Sequence, residues 1–246
     1  MERQPRLANR SDFALHRWRH RPKPTVQLQV DLEKIGKYAI AVPIVCALLA
    51  RMGFGYAPHV GVPLSCMLIV ALFSRHEVRS SAWWLIAALA FSIAGDWMLG
   101  HRGGDTMRFV YGIALFFVAH IGFLFFCLCH GRIKTQWLCV LLAGYGLFSI
   151  FGLAPAISLS HLLLLVAVLF YMLISCFSLA TSAGLRFSPL SRWLFVAGIA
   201  CIVFSDTLIA LHEFMYTAHW LYKSLMMPTY YGAHILITAS VLRSGS

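Results

Sequence analysis

Two carboxylates, Asp96 in FSIAGDWML and Asp206 in CIVFSDTLIA, each lie deep inside a long apolar run. An ionisable group of this kind costs about 2.5–3.5 kcal/mol at the centre of a membrane helix, so it persists only where it is paired, protonated or lining a wet cavity. Two such groups in matching settings can divide the roles of general acid and general base, can ligate a metal ion, or can relay a proton. Ser92 precedes Asp96 by four residues and so shares its helical face. Ser205 adjoins Asp206, and its hydroxyl is free to turn toward its own backbone. His120 and His234 fall within later apolar runs, where an imidazole also needs a partner, and Tyr111, Tyr230 and Tyr231 complete the polar set.

The elements that carry these residues follow from composition. The 246-residue chain is 60% hydrophobic and only 12% charged. A soluble domain is about 45–50% apolar and about 25% charged, so an integral membrane protein is expected. A membrane helix needs roughly 20 apolar residues. Eight segments satisfy this, at 37–57, 59–75, 82–101, 108–130, 136–153, 157–180, 191–211 and 225–242, the first two interrupted by Pro43, Gly53, Gly55, Pro58 and Pro63. The expected fold is an all-α integral membrane protein, a compact bundle of about eight transmembrane helices. Residues 1–36 form a basic cytoplasmic tail, 37–242 the membrane domain and 243–246 a short C-terminal tail.

The net charge of +11 is membrane topology rather than a nucleic-acid footprint, since nine of the 20 Lys and Arg residues precede Tyr38. With both termini cytoplasmic, 16 basic residues lie inside and only Arg51, Arg102, Arg108 and Lys223 outside. The third and seventh spans then run in the same direction. Asp96 follows Trp83 by 13 residues and Asp206 follows Trp193 by 13, a rise of roughly 20 Å in each case. Both carboxylates therefore share one depth, in the half of the bilayer away from the cytoplasm. An Ala-His pair follows each acid one span later, at 119–120 and 233–234, an echo of an internal repeat.

Other classes lose support. The seven cysteines form no CxxC pair, which argues against a disulfide or cysteine–zinc framework, and no HExxH, GxSxG, Walker or GxGxxG pattern is present. No secretory signal peptide is expected, because the first apolar run begins only near Tyr38. Gly95 and Gly198 are expected to let helices approach closely, and Trp97 to anchor the interface. His101, His130, His212, His219, Glu77, Asp105 and Glu213 fall in or near loops, where solvation accounts for them; His161 lies near a helix start.

FSIAGDWML, then FVAHIGF, FSDTLIALHEF and YYGAHILI, in that order and spacing, resemble the YhhN family of eight-span membrane proteins, which includes lysoplasmalogenases, over residues 38–242. The resemblance implies hydrolysis of the vinyl ether bond of lysoplasmalogen, releasing a fatty aldehyde and glycerophosphoethanolamine or glycerophosphocholine. It places the catalytic acids on Asp96 and Asp206, with His120 orienting water or neutralising charge. Substrate binding then falls to Ser92, Tyr111, Ser205, Tyr230 and His234. No cofactor and no metal is expected, and the partners are a lysophospholipid substrate and bilayer lipid, with no nucleic acid. The sequence departs from the family pattern at His234, at His212–Glu213 and at Phe123. Two other readings of the same residues remain: a zinc hydrolase with Asp96, His120, Asp206 and His234 around the metal, and a small proton-coupled transporter. The expected location is a bacterial inner membrane, or the endoplasmic reticulum in a eukaryote.

Overall fold

A computed structural model describes residues 34–156, 162–215 and 219–244. Most of the expected basic tail, and His161, lie outside the described residues. The named elements are helices: α1 (Ala41–Arg51), α2 (Ala57–Phe73), α3 (Ala82–Gly100), α4 (Thr106–His130), α5 (Thr135–Ala156), α6 (Leu162–Ser182), α7 (Pro189–Met215) and α8 (His219–Leu242). A single helical turn at His76–Arg79 precedes α3.

The six helices α3 to α8 are each long and apolar enough to cross a membrane, and the protein is a multi-pass integral membrane protein. The first two expected spans are occupied by the shorter helices α1 and α2. The break between them has a backbone cause. Gly53 and Gly55 adopt φ of +84° and +80°, a left-handed conformation that glycine alone enters without strain, and Pro58 opens α2, where its missing N–H is harmless.

Helix packing forms a closed ring. In order, α2, α3, α4, α6, α7 and α8 each touch the next, and α8 returns to α2; α1 lies outside against α2 and α8, and α5 outside against α6 and α7. Each contact within the ring recurs four helices later, α3 on α4 matching α7 on α8, and α1 on α2 matches α5 on α6. The sequence keeps the same register. Ser65–Cys66 and Ser175–Cys176, Trp83 and Trp193, and Asp96 and Asp206 are all 110 positions apart. The paired serines even make equivalent bonds, Ser65 Oγ donating to the Gly61 carbonyl (2.6 Å) and Ser175 Oγ to that of Tyr171 (2.8 Å). The echo seen in the sequence thus extends over the packing of the ring.

One half of the ring is filled. Leu85, Leu89, Phe123, Phe126, Phe195, Ile199 and Ile237 are fully buried in a single cluster. Gly198 permits the close approach of α7 and α8, because a Cβ there would stand 2.6 Å from Ile237 Cγ1. Gly95 does the same for the ring of Phe116, at 3.0 Å. This packed half holds α3's N-terminus and α4's C-terminus, joined by Ser81 Oγ and His130 Nε2 at 2.6 Å. At the other end Arg102, just beyond α3, meets Glu213 on the last turn of α7. α3 and α7 therefore end on the same side and run parallel.

Candidate active site

The half of the ring beyond the packed core is hollow. A cavity of about 250 Å³ is lined by Asp96, Ser205, Asp206, Tyr230 and Tyr231, with Arg102, Glu213 and Tyr222 toward its outer end. A second, narrow chamber of about 60 Å³ is lined mainly by apolar side chains such as Ile113, Val168, Met172 and Ala210, with Tyr145, Tyr171, Ser175 and Thr207 beside Asp206. Asp206 lines both, together with Leu99, Phe109, Phe116 and Ile209. One carboxylate thus stands where the larger compartment, which carries the charged groups, meets a narrower and more apolar one.

Each acid is held by a tyrosine from a different helix. Tyr230 Oη on α8 donates to Asp96 Oδ2 at 3.0 Å, and Tyr171 Oη on α6 donates to Asp206 Oδ2. Hydrogen bonds to an ionised acceptor contribute about 1.5–3 kcal/mol, which offsets much of the cost of placing a carboxylate at this depth. Ser205 Oγ donates to the Ile202 carbonyl at 3.0 Å and stands 3.5 Å from Asp206 Oδ1. Nearby, His59 Nδ1 is hydrogen-bonded to Tyr231 Oη, and Tyr145 Oη to Thr207 Oγ1 at 2.9 Å.

The histidines stand behind these tyrosines. The His120 ring meets Tyr171 edge-on with centroids 5.3 Å apart, and the His234 ring meets Tyr230 at 4.5 Å. His234 Nδ1–H donates to the Tyr230 carbonyl at 2.9 Å, which fixes its tautomer. Neither nitrogen of His120 has a partner among the described residues. Neither histidine lines either cavity. The result is two His–Tyr–Asp sets, each drawing its members from both halves of the bundle.

Of the residues expected from the sequence, Asp96, Asp206, Ser205 and Tyr230 come together on the polar cavity. Ser92 is buried beside Tyr230 rather than facing the cavity. Tyr111 differs: it is 52% exposed on the outside of α4 and lines neither cavity. His120 is placed behind Tyr171, one residue removed from the reacting space. Trp97 stacks on His101 at the bundle surface, as an interface anchor does.

Tyr171 and Glu213 were not singled out as site residues from the sequence. A lone tyrosine in LFYMLISC has a hydroxyl that needs a partner at membrane depth, and that was the available signal. Glu213 looks like a loop residue because the apolar run stops near Leu211, yet α7 continues to Met215. Its carboxylate is 2.5 Å from Arg102 Nη2, with both side chains only partly exposed. Asp105, by contrast, is an N-cap residue whose Oδ1 accepts from the Met107 amide at 2.8 Å. Among the described residues no three His, Cys, Asp or Glu side chains gather to hold a metal ion, so the four proposed zinc ligands do not form one cluster.

Comparison with known proteins places this geometry among relatives. The model of the YhhN family matches residues 60–241. Lysoplasmalogenase TMEM86B of Rattus norvegicus is 32% identical over 190 residues, covering 74% of this chain and 71% of its own. No solved structure matches the chain.

Proposed function

The chain belongs to the YhhN family, and from that premise we propose that it hydrolyses the vinyl ether bond of lysoplasmalogen to a fatty aldehyde and a glycerophospho-headgroup. The observation that carries this reading is the position of Asp206 at the junction of a polar and an apolar compartment, with Asp96 on the same polar wall. A lysolipid has the same division. Its headgroup suits the larger cavity, the start of its chain suits the narrow chamber, and its vinyl ether falls between them. The similarity to a rat lysoplasmalogenase supports the same substrate.

The reaction is an acid-catalysed hydration. A protonated carboxyl delivers its proton to the β-carbon of the vinyl ether, leaving an oxocarbenium ion. Water adds to the α-carbon, the one bonded to the ether oxygen, while a carboxylate takes its proton. The hemiacetal then collapses, its hydroxyl proton lost and the glycerol oxygen protonated, to give aldehyde and alcohol. Asp206, held by Tyr171 at the junction of the two compartments, is assigned the ionised role, and Asp96, held by Tyr230, the acid. Tyr171 and Tyr230 orient the two carboxylates. His120 acts through Tyr171 as a positioning residue, and His234 through Tyr230.

The same reading takes the bundle as eight spans with both termini cytoplasmic. Helical residues 34–39 and α1 cover 18 residues across a turn at Ile40, roughly 27 Å. α2 adds 17 residues and makes ring contacts equivalent to those of α6, which is long enough to span.

Aldehyde release by purified protein in detergent tests the proposal. Wild type is expected to release aldehyde with or without chelator, and Asp96→Asn and Asp206→Asn each to lose about 10²-fold or more, the usual scale for a positioned acid or base. Chelator-sensitive release would assign the carboxylates to a metal. No release by folded wild type would overturn the substrate.

A further inference from the structure

The ion pair at the cavity's outer end has no part in the chemistry above, yet its position is informative. Arg102 Nη2 and Glu213 Oε1 are 2.5 Å apart, the Arg102 guanidinium lies 4.9 Å from the centre of the Phe109 ring, and both charged side chains line the polar cavity. Tyr222 lines the same stretch within electrostatic reach of both. Glu213 is seven residues beyond Asp206 within α7, an axial offset of roughly 10 Å at helical rise, and its ion-pair partner Arg102 stands at that level. In a lysophospholipid the phosphorus is about five bonds from the ether oxygen and the amine nitrogen about nine. At about 1.2 Å per extended bond these distances are about 6 and about 11 Å. With the vinyl ether at the carboxylates, the phosphate and the amine therefore arrive on either side of the level of this pair.

Resting on the hydrolase reading, we propose that Arg102 and Glu213 form a headgroup clamp selecting zwitterionic lysolipids. Arg102 binds the phosphate and Glu213 binds the ammonium. On binding, the ion pair opens and each member takes the opposite charge of the ligand, so a zwitterion brings no net charge into the partly dehydrated mouth. A headgroup with phosphate alone leaves Glu213 unpaired and repelled. Glu213 is thus the discriminating residue, whereas Arg102 serves every phosphate ester. The aromatic wall of Tyr222, Tyr56 and Phe109 suits an ammonium group as well.

Binding of saturated 1-O-alkyl lysolipids, which carry the headgroups but no vinyl ether, tests this separately from hydrolysis. The full-length protein in detergent is titrated with the ethanolamine and the phosphate-only forms, followed by intrinsic fluorescence. Wild type is expected to prefer the ethanolamine form by about tenfold, the scale of one charged hydrogen bond, and Glu213→Gln to abolish that preference. Arg102→Gln is expected to weaken both ligands while keeping their ratio nearer to that of wild type. A purely structural ion pair would move both ligands equally in both variants. A headgroup ratio unchanged in Glu213→Gln overturns the clamp, whether or not aldehyde is released. A collapsed ratio without aldehyde release from the vinyl ether lipid supports the clamp and removes only the hydrolase reading.

Discussion

Tyr171→Phe deletes one oxygen from the site and leaves the ring in place. That ring still packs edge-on against His120, so the helix contacts around it survive. What disappears is the donor to Asp206 Oδ2. The remaining donor, Ser205 Oγ at 3.5 Å, is at the limit of hydrogen-bonding distance and already bonds a carbonyl. A hydrogen bond to a charged acceptor contributes about 1.5–3 kcal/mol, and each 1.4 kcal/mol is a factor of ten. If Asp206 must be held ionised and oriented in the transition state, kcat falls by about 10–150-fold while KM changes little. Tyr145→Phe is the control: it removes a neutral bond to Thr207 one residue along, for which about 0.5–1.5 kcal/mol of stability and no comparable loss of kcat is expected. The assay is aldehyde release at saturating lysoplasmalogen, paired with thermal unfolding of each variant. A folded Tyr171→Phe protein with kcat within about twofold of wild type would refute the role given to this bond.

Tyr230→Phe removes the corresponding donor to Asp96, and a kcat loss of similar size, about tenfold or more, is expected in the same assay. Val168→Trp narrows the apolar chamber. Displacing about two methylenes corresponds to about 1.6 kcal/mol, so KM for a long-chain substrate is expected to rise about tenfold, with a much smaller rise for a short-chain analogue; equal rises would disconnect the chamber from the chain. Gly198→Val places a Cβ 2.6 Å from Ile237, and a loss of about 1–3 kcal/mol is expected from overpacking, measured as a lowered melting temperature in detergent. Reporter fusions to the two ends are expected to give the same cytoplasmic signal; opposite signals would contradict an even number of spans.

Much of this protein was legible in its sequence because a bilayer restricts what an apolar chain can do. Long runs without charge must be helices, since no other single segment satisfies its own backbone in hydrocarbon. The six long helices accordingly stand where runs of hydrophobicity mark them. Asp96 and Asp206 were conspicuous for the same reason, and their equal spacing from Trp83 and Trp193 placed them at one depth before any packing was known. Helix ends were less legible. α7 runs on to Met215, past the apolar stretch, where Glu213 pairs with Arg102, and α8 begins at His219.

Tertiary structure alone decided which side chains share a space. Depth along a helix follows from counting residues, but rotation about its axis depends on the neighbours it packs against. A one-dimensional reading singles out Tyr111 and passes over Tyr171. Packing of α4 against α3 and α6 turns the first outward, while α6 turns the second onto Asp206. His120 likewise lies at a plausible depth, yet it backs a tyrosine rather than facing the cavity. The closed ring of six helices, filled in one half and hollow in the other, is a property of contacts between segments far apart in the chain. No local pattern of residues encodes it, because each helix presents an apolar surface both to its neighbours and to lipid.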